Sequence, residues 1–98
     1  MKVADAAEGF GVDCEFHGGN LAHRHCIAAI RNTNYYELGL LHPLVDNTKP
    51  PVYPPEFTDE LKNVDANGHV LVPQGPGLGV EMDWDYIERH KSGATIFE

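Results

Sequence analysis

Two residues in the first half of the chain have the types and positions that proton chemistry needs. His17 closes the run VDCEFH and is followed by Gly18 and Gly19, and Glu37 lies twenty residues later in the run YYEL. An imidazole whose ordinary pKa is about 6.5 can take or give a proton near neutral pH. A carboxyl group can orient such an imidazole or, when protonated, donate a hydrogen bond of its own. The same two residues also read as a histidine at the entry to a loop and a solvated acid at the end of a strand. Spacing alone leaves both readings open.

The elements around them favour a shared position. Residues 12–17 alternate apolar and polar, which predicts a strand with Asp13, Glu15 and His17 on one face. Residues 35–38 predict a second strand with Tyr35 and Glu37 on one face. A helix is expected over 2–8, rich in Ala and Glu and stopped by Gly9 and Gly11. Asn20 is a natural N-cap for a helix over 21–31, with Ala22, Cys26, Ala29 and Ile30 along one side. Helix, strand, helix, strand with short connections is the repeat of a parallel sheet or barrel. In such a barrel the C-terminal ends of the strands form the active-site rim. His17 and Glu37 would then meet there, with Glu15 and Asn20 close enough to touch a substrate.

The remainder has a different texture. Five prolines between 42 and 55 predict an extended segment running over the surface. Short β-favouring runs at 61–64 and 69–72 flank Asp65-Ala66-Asn67-Gly68, a hairpin signal. The stretch from Pro73 to Gly79 is a rigid turn, and Asp83 caps a last helix expected over 84–91. The natural division is residues 1–45, a helix–strand–helix–strand unit, and residues 46–98, a tail of hairpin, turn and helix. Two parallel strands bury little and leave both edges open, so most of the sheet is expected to lie outside this stretch.

Composition narrows the partners. The chain has 98 residues and a net charge of −8, which disfavours nucleic acid, and it shows no basic cluster for a membrane surface. No apolar run approaches the roughly 20 residues that span a bilayer, and the N-terminus lacks the pattern of a signal peptide. Cys14 and Cys26 have neither CxxC spacing nor a disulfide-rich context, and reduced thiols of a cytoplasmic protein are the expectation.

Other histidines carry less. His23 and His25 form an HxH pair that could bind a metal on a strand, as in cupins. They lie in LAHRHCIAAI, however, which reads as a helix, where i and i+2 do not share a face. Cys26 reads as a packing residue of that helix. PGPGLG lacks the Lys and the strand-to-helix setting of a phosphate loop. A small non-catalytic binding module and a cupin-like metal protein remain the alternatives to an enzyme.

Two stretches, EFHGGNLAHRHCIAAIRNTNYYELGL and GHVLVPQGPGLGVEMDWDYI, resemble the C-terminal end of mandelate racemase-like and muconate lactonizing enzyme-like proteins of the enolase superfamily. In that family the seventh barrel strand ends in a catalytic His and the eighth in a Glu, the places held by His17 and Glu37. Asn67-Gly68 and Pro73 through Gly79 match the pattern with which the family's chain returns across its capping domain. The resemblance implies an α/β fold: the last two strands and connecting helix of a (β/α) TIM barrel, with a tail packed on the cap.

It also implies a Mg²⁺-dependent parent that removes the proton α to a carboxylate, as an acid-sugar dehydratase or 2-hydroxy-acid racemase. The substrate would be a small-molecule carboxylate, an acid sugar or hydroxy acid, and the parent would be a homo-oligomer. By the same resemblance His17 would be the base, or the acid that expels a hydroxyl, and a protonated Glu37 would donate a hydrogen bond to the developing oxyanion. The family's Mg²⁺ ligands sit on strands with no counterpart here, so no residue of this chain is assigned to the metal. The isolated chain is expected to be inactive.

Overall fold

The computed structural model describes residues 1–38, 44 and 52–97. The element order is α1 (Lys2–Gly9), α2 (Leu21–Ala29), short 3₁₀ turns at Pro55–Phe57 and Leu61–Asn63, and α3 (Trp84–His90). The division drawn between residues 45 and 46, and most of the proline-rich run over 42–55, fall outside the described residues.

Each helix is set by its ends. α1 has no side-chain cap at Met1, but its C-terminus closes with Gly11 at φ 67. The Gly11 and Val12 N–H groups donate to the carbonyls of Glu8 and Ala7, both at 2.9 Å. That pairing is a Schellman closure, whose left-handed position favours a glycine. α2 starts where Asn20 Oδ1 accepts the His23 N–H at 2.9 Å. It stops at Ala29, two residues before the expected end. The Asn32 amide donates to the carbonyls of Ala4 and Val12 at 3.1 and 2.9 Å, drawing the chain onto the end of α1. α3 is capped as expected, with Asp83 Oδ1 accepting the Tyr86 N–H at 2.7 Å.

The expected strands do not form, and this corrects the partial TIM barrel: among the described residues there are helices and turns and no β-strand. Residues 13–18 and 32–37 do run side by side in the same direction. Cys14 N–H donates to the Asn32 carbonyl at 2.6 Å. Further along, the join is made largely by side chains. Glu15 accepts from the Thr33 hydroxyl and the Asn34 N–H at 2.8 and 2.9 Å, and the Asn34 amide donates to Asp13 at 2.8 Å. A parallel ladder needs evenly repeated backbone bonds and cover on both faces. Two segments with carboxylates and amides between them supply neither.

The hairpin expectation is half met. Asp65 N–H donates to the His69 carbonyl at 2.8 Å and Gly68 N–H to the Asp65 carbonyl at 3.0 Å, with Gly68 at φ 82. The turn is therefore present, but the run before it forms the 3₁₀ turn Leu61–Asn63 rather than a strand. Pro73 is buried, and Gly79 packs so closely on it that a Cβ would lie 2.6 Å from the Pro73 Cβ.

The polar centre is more developed than the apolar one. Among the described residues, Ala4 and Leu21 are the buried hydrophobics, while Arg24 and Asp59 are 2% and 1% exposed. Arg24 Nη2 lies 2.9 Å from Asp59 Oδ1, and its two terminal nitrogens also donate to the carbonyls of Leu71 and Thr58 at 2.8 and 3.2 Å. Tyr36 donates its hydroxyl to Asp59 at 2.6 Å and lays its ring against the guanidinium. This cluster fastens α2 to the tail.

Candidate functional site

His17 and Glu37 come together. His17 Nδ1 lies 2.9 Å from Glu37 Oε2. The same oxygen accepts the Gly18 N–H at 2.8 Å. The glycine after the histidine thus holds the carboxylate that faces the histidine. His17 is 97% exposed in its side chain, which leaves its Nε2 open to an incoming group. An open hollow of about 430 Å³ lies against the pair, lined by Glu15, Phe16, His17, Tyr35 and Glu37. A second hollow of about 400 Å³, lined by Ile27, Ala28, Tyr36 and Val70 among others, includes neither His17 nor Glu37.

The electrostatics assign a charge state to Glu37. The Gly18 N–H, the largest influence, holds its carboxyl below the ordinary carboxylate range; burial opposes it, and the facing His17 adds to the lowering. A carboxylate in this setting accepts from Nδ1 and fixes which imidazole nitrogen carries the proton. A protonated Glu37 that donates a hydrogen bond is disfavoured by the same contacts.

Glu15 and Asn20 are engaged locally. Glu15 lines the hollow, but its oxygens are taken up by Thr33, Asn34 and the Tyr35 N–H, and the Thr33 hydroxyl and these backbone donors keep its carboxyl low. Asn20 uses its side chain to cap α2 and its carbonyl to receive the Arg24 N–H. The hollow thus gathers His17, Glu37 and Glu15 but not Asn20.

His23 and His25 lie on α2 and point to separate partners. His23 Nδ1 faces the Gly18 carbonyl at 2.7 Å, and His25 Nε2 faces the Leu78 carbonyl at 3.1 Å. A carbonyl only accepts, so each of those nitrogens carries a proton and is turned away from metal binding. Among the described residues no group of three or more His, Cys, Asp or Glu side chains could hold a metal ion. The described residues therefore do not offer a cluster that fits Mg²⁺. Cys14 and Cys26 are both free. No helix among the described residues is long and apolar enough to cross a membrane.

Sequence reasoning missed Asp59, Arg24 and Tyr36 as a unit. Their only advance signal is weak: an Arg on the inward side of a helix and an acid in FTDEL, thirty-five residues apart.

Residues 1–86 match the family model described as enolase C-terminal domain-like, and the chain belongs to that family. Over 108 aligned positions it is 31% identical to the D-xylonate dehydratase of Haloferax volcanii. That alignment takes in 99% of this chain and 23% of the relative, so the chain spans under a quarter of the length of the curated protein it matches. No solved structure matches it.

Proposed function

We propose that this chain supplies the His–Glu part of the active site of an acid-sugar dehydratase, working with residues contributed from outside the 98 residues. The observation that carries the reading is the 2.9 Å approach of His17 to Glu37, beside an open hollow, in a chain of the enolase C-terminal domain-like family. The dehydratase name of the Haloferax relative supports the reaction class.

Dehydration of an aldonic acid breaks the C–H bond α to the carboxylate and then the C–O bond at the next carbon. The proton goes to a base, the hydroxyl leaves as water with a proton from an acid, and the enol collapses to a 2-keto acid. Within this chain the group that can move those protons is Nε2 of His17. The Glu37 carboxylate, held by Gly18, keeps the proton on Nδ1 and supports the imidazolium when Nε2 is charged. The negative charge that builds on the substrate's carboxylate must be met by groups outside this chain.

The test uses a complete enzyme that contains this segment, assayed for α-proton exchange into D₂O and for 2-keto acid formation from D-xylonate and related acids. His17→Asn is expected to lower both by about 10²–10⁴-fold, the usual cost of losing a general base or acid. Wild-type rates in that variant on every substrate accepted would remove His17 from the chemistry.

A further inference from the structure

Gly18 and Gly19 join the His17 end of one segment to the Glu37 end of the other, and each is gripped. Gly18 gives its N–H to Glu37 and receives the Nδ1 proton of His23 at its carbonyl. Gly19 is wedged: a Cβ there would lie 2.6 Å from Asp59 Oδ2 and 2.8 Å from the Glu37 carbonyl oxygen. Asp59 therefore sits against the back of the dipeptide whose front holds Glu37. Its other oxygen takes the hydroxyl of Tyr36, the residue before Glu37, and faces the Arg24 guanidinium. At 1% exposure Asp59 touches no solvent-borne substrate, and burial, with Asp59 as the acceptor, pushes the Tyr36 hydroxyl well above its ordinary value.

We propose that Asp59, a residue of the tail, is a positioning residue for the His17–Glu37 pair, setting its geometry through Gly19 on one side and Tyr36 on the other. This rests on the reading of His17 and Glu37 as the working pair but does not require the reaction to be known. The tail then does more than cover the domain: it completes the site from behind. Arg24 neutralises Asp59, so the buried carboxylate can hold two backbone segments without an uncompensated charge.

The experiment is NMR on a complete enzyme that contains this segment, isotope-labelled at Glu and Gly within these 98 residues, reading the Gly18 amide proton and the pH at which the Glu37 carboxyl titrates. Asp59→Asn keeps the shape, removes the charge and places an NH₂ where an oxygen accepted. The expected result is loss of the downfield, carboxylate-bonded Gly18 signal and a rise in the Glu37 titration point toward the ordinary value. Direct electrostatics predicts the opposite sign, because removing a negative charge nearby makes Glu37 easier to ionise. A rise therefore reports lost geometry and not lost field.

Unchanged Gly18 and Glu37 signals in an Asp59→Asn chain whose α1 and α3 amides are intact would overturn the proposal. Should Asp59→Asn unfold the chain, Tyr36→Phe decides, since it leaves the Arg24–Asp59 pair in place. A partial shift of both readouts in Tyr36→Phe supports the proposal, and no shift overturns it. The readouts contain no turnover, so they can fail while the catalytic reading stands, and the exchange assay can fail while the positioning stands.

Discussion

His17 Nδ1 meets the Oε2 atom of Glu37, and that same atom is held by the N–H of the residue next to His17. The contact is closed over twenty residues of sequence by one local peptide, so its integrity depends on the conformation of Gly18 as much as on either side chain. It also depends on Glu37 remaining ionised.

The acid limb of stability follows from that dependence. Glu37, Glu15, Glu60 and Asp65 all have carboxyls lowered in the folded chain, led respectively by the Gly18 N–H, the Thr33 hydroxyl, Lys62 and the His69 N–H. A depressed carboxylate contributes stability that is complete above its unfolded value and is lost as pH falls through the folded one. The urea midpoint of the helical circular dichroism signal should hold steady from neutral pH to about 5 and fall below about 4. A midpoint that is flat or rising down to about pH 2.5 would contradict these assignments.

Gly19 and Gly9 make a matched pair for substitution. At Gly19 the added methyl would meet the Glu37 backbone carbonyl, which cannot swing aside as a side-chain tip can, whereas at Gly9 it meets nothing within 4 Å. Gly19→Ala should cost about 1–3 kcal/mol, as overpacking does. Gly9→Ala, at the last position of α1, should be neutral or gain up to about 1 kcal/mol through helix propensity. Urea denaturation of both checks this, and equal effects would refute the close approach at Gly19.

The buried ion pair sets a different asymmetry. Arg24→Ala leaves Asp59 charged and enclosed, a loss of about 3–5 kcal/mol for pairs of this kind. A chain with so few buried apolar side chains should then show no folded baseline. The double replacement Arg24→Met with Asp59→Leu removes both charges and should recover helical signal that Arg24→Ala lacks. A double variant no better folded than Arg24→Ala would show that the bonds of Arg24 to Leu71 and Thr58 matter more than its charge balance.

These comparisons also show what was readable beforehand. The helix starts were, because Asn20 and Asp83 are capping residues followed by helical periods and each caps where expected. His17 and Glu37 were expected to meet at the ends of two barrel strands; they do meet, but across two segments that form no strand. The strands were misread: alternation marks residues that would suit a sheet, but ladder formation depends on neighbours, and here Glu15 and Asn34 occupy the space between the two segments. The Arg24–Asp59–Tyr36 cluster was invisible. Charged residues on a helix and in a loop look like solvated surface until long-range packing removes the water.

The uncovered apolar surface makes the last prediction. The chain exposes 7710 Å², against about 5,500 Å² for a compact monomer of its mass. Its radius of gyration is 15.8 Å, against about 12.6 Å for a compact domain of its length. Phe10, Tyr35 and Trp84 are 86%, 81% and 64% exposed, and Val3 and Val12 stand out beside them. Side chains of this kind normally lie against other layers of a domain, and their exposure withholds most of the hydrophobic stabilisation that folding requires. Alone and dilute, the chain should melt broadly and at low temperature, bind a hydrophobic dye, and elute with an apparent size that grows with concentration. Adding in trans the remaining 77% of a dehydratase such as the Haloferax relative should reduce dye binding and sharpen the melt, because the same faces then find partners. Calorimetry, dye fluorescence and size exclusion on the chain with and without that addition measure all three. A sharp cooperative melt with monomeric elution of the chain alone would show that these faces are satisfied as they stand, and the reading of this segment as one part of a site shared with other segments would fall with it.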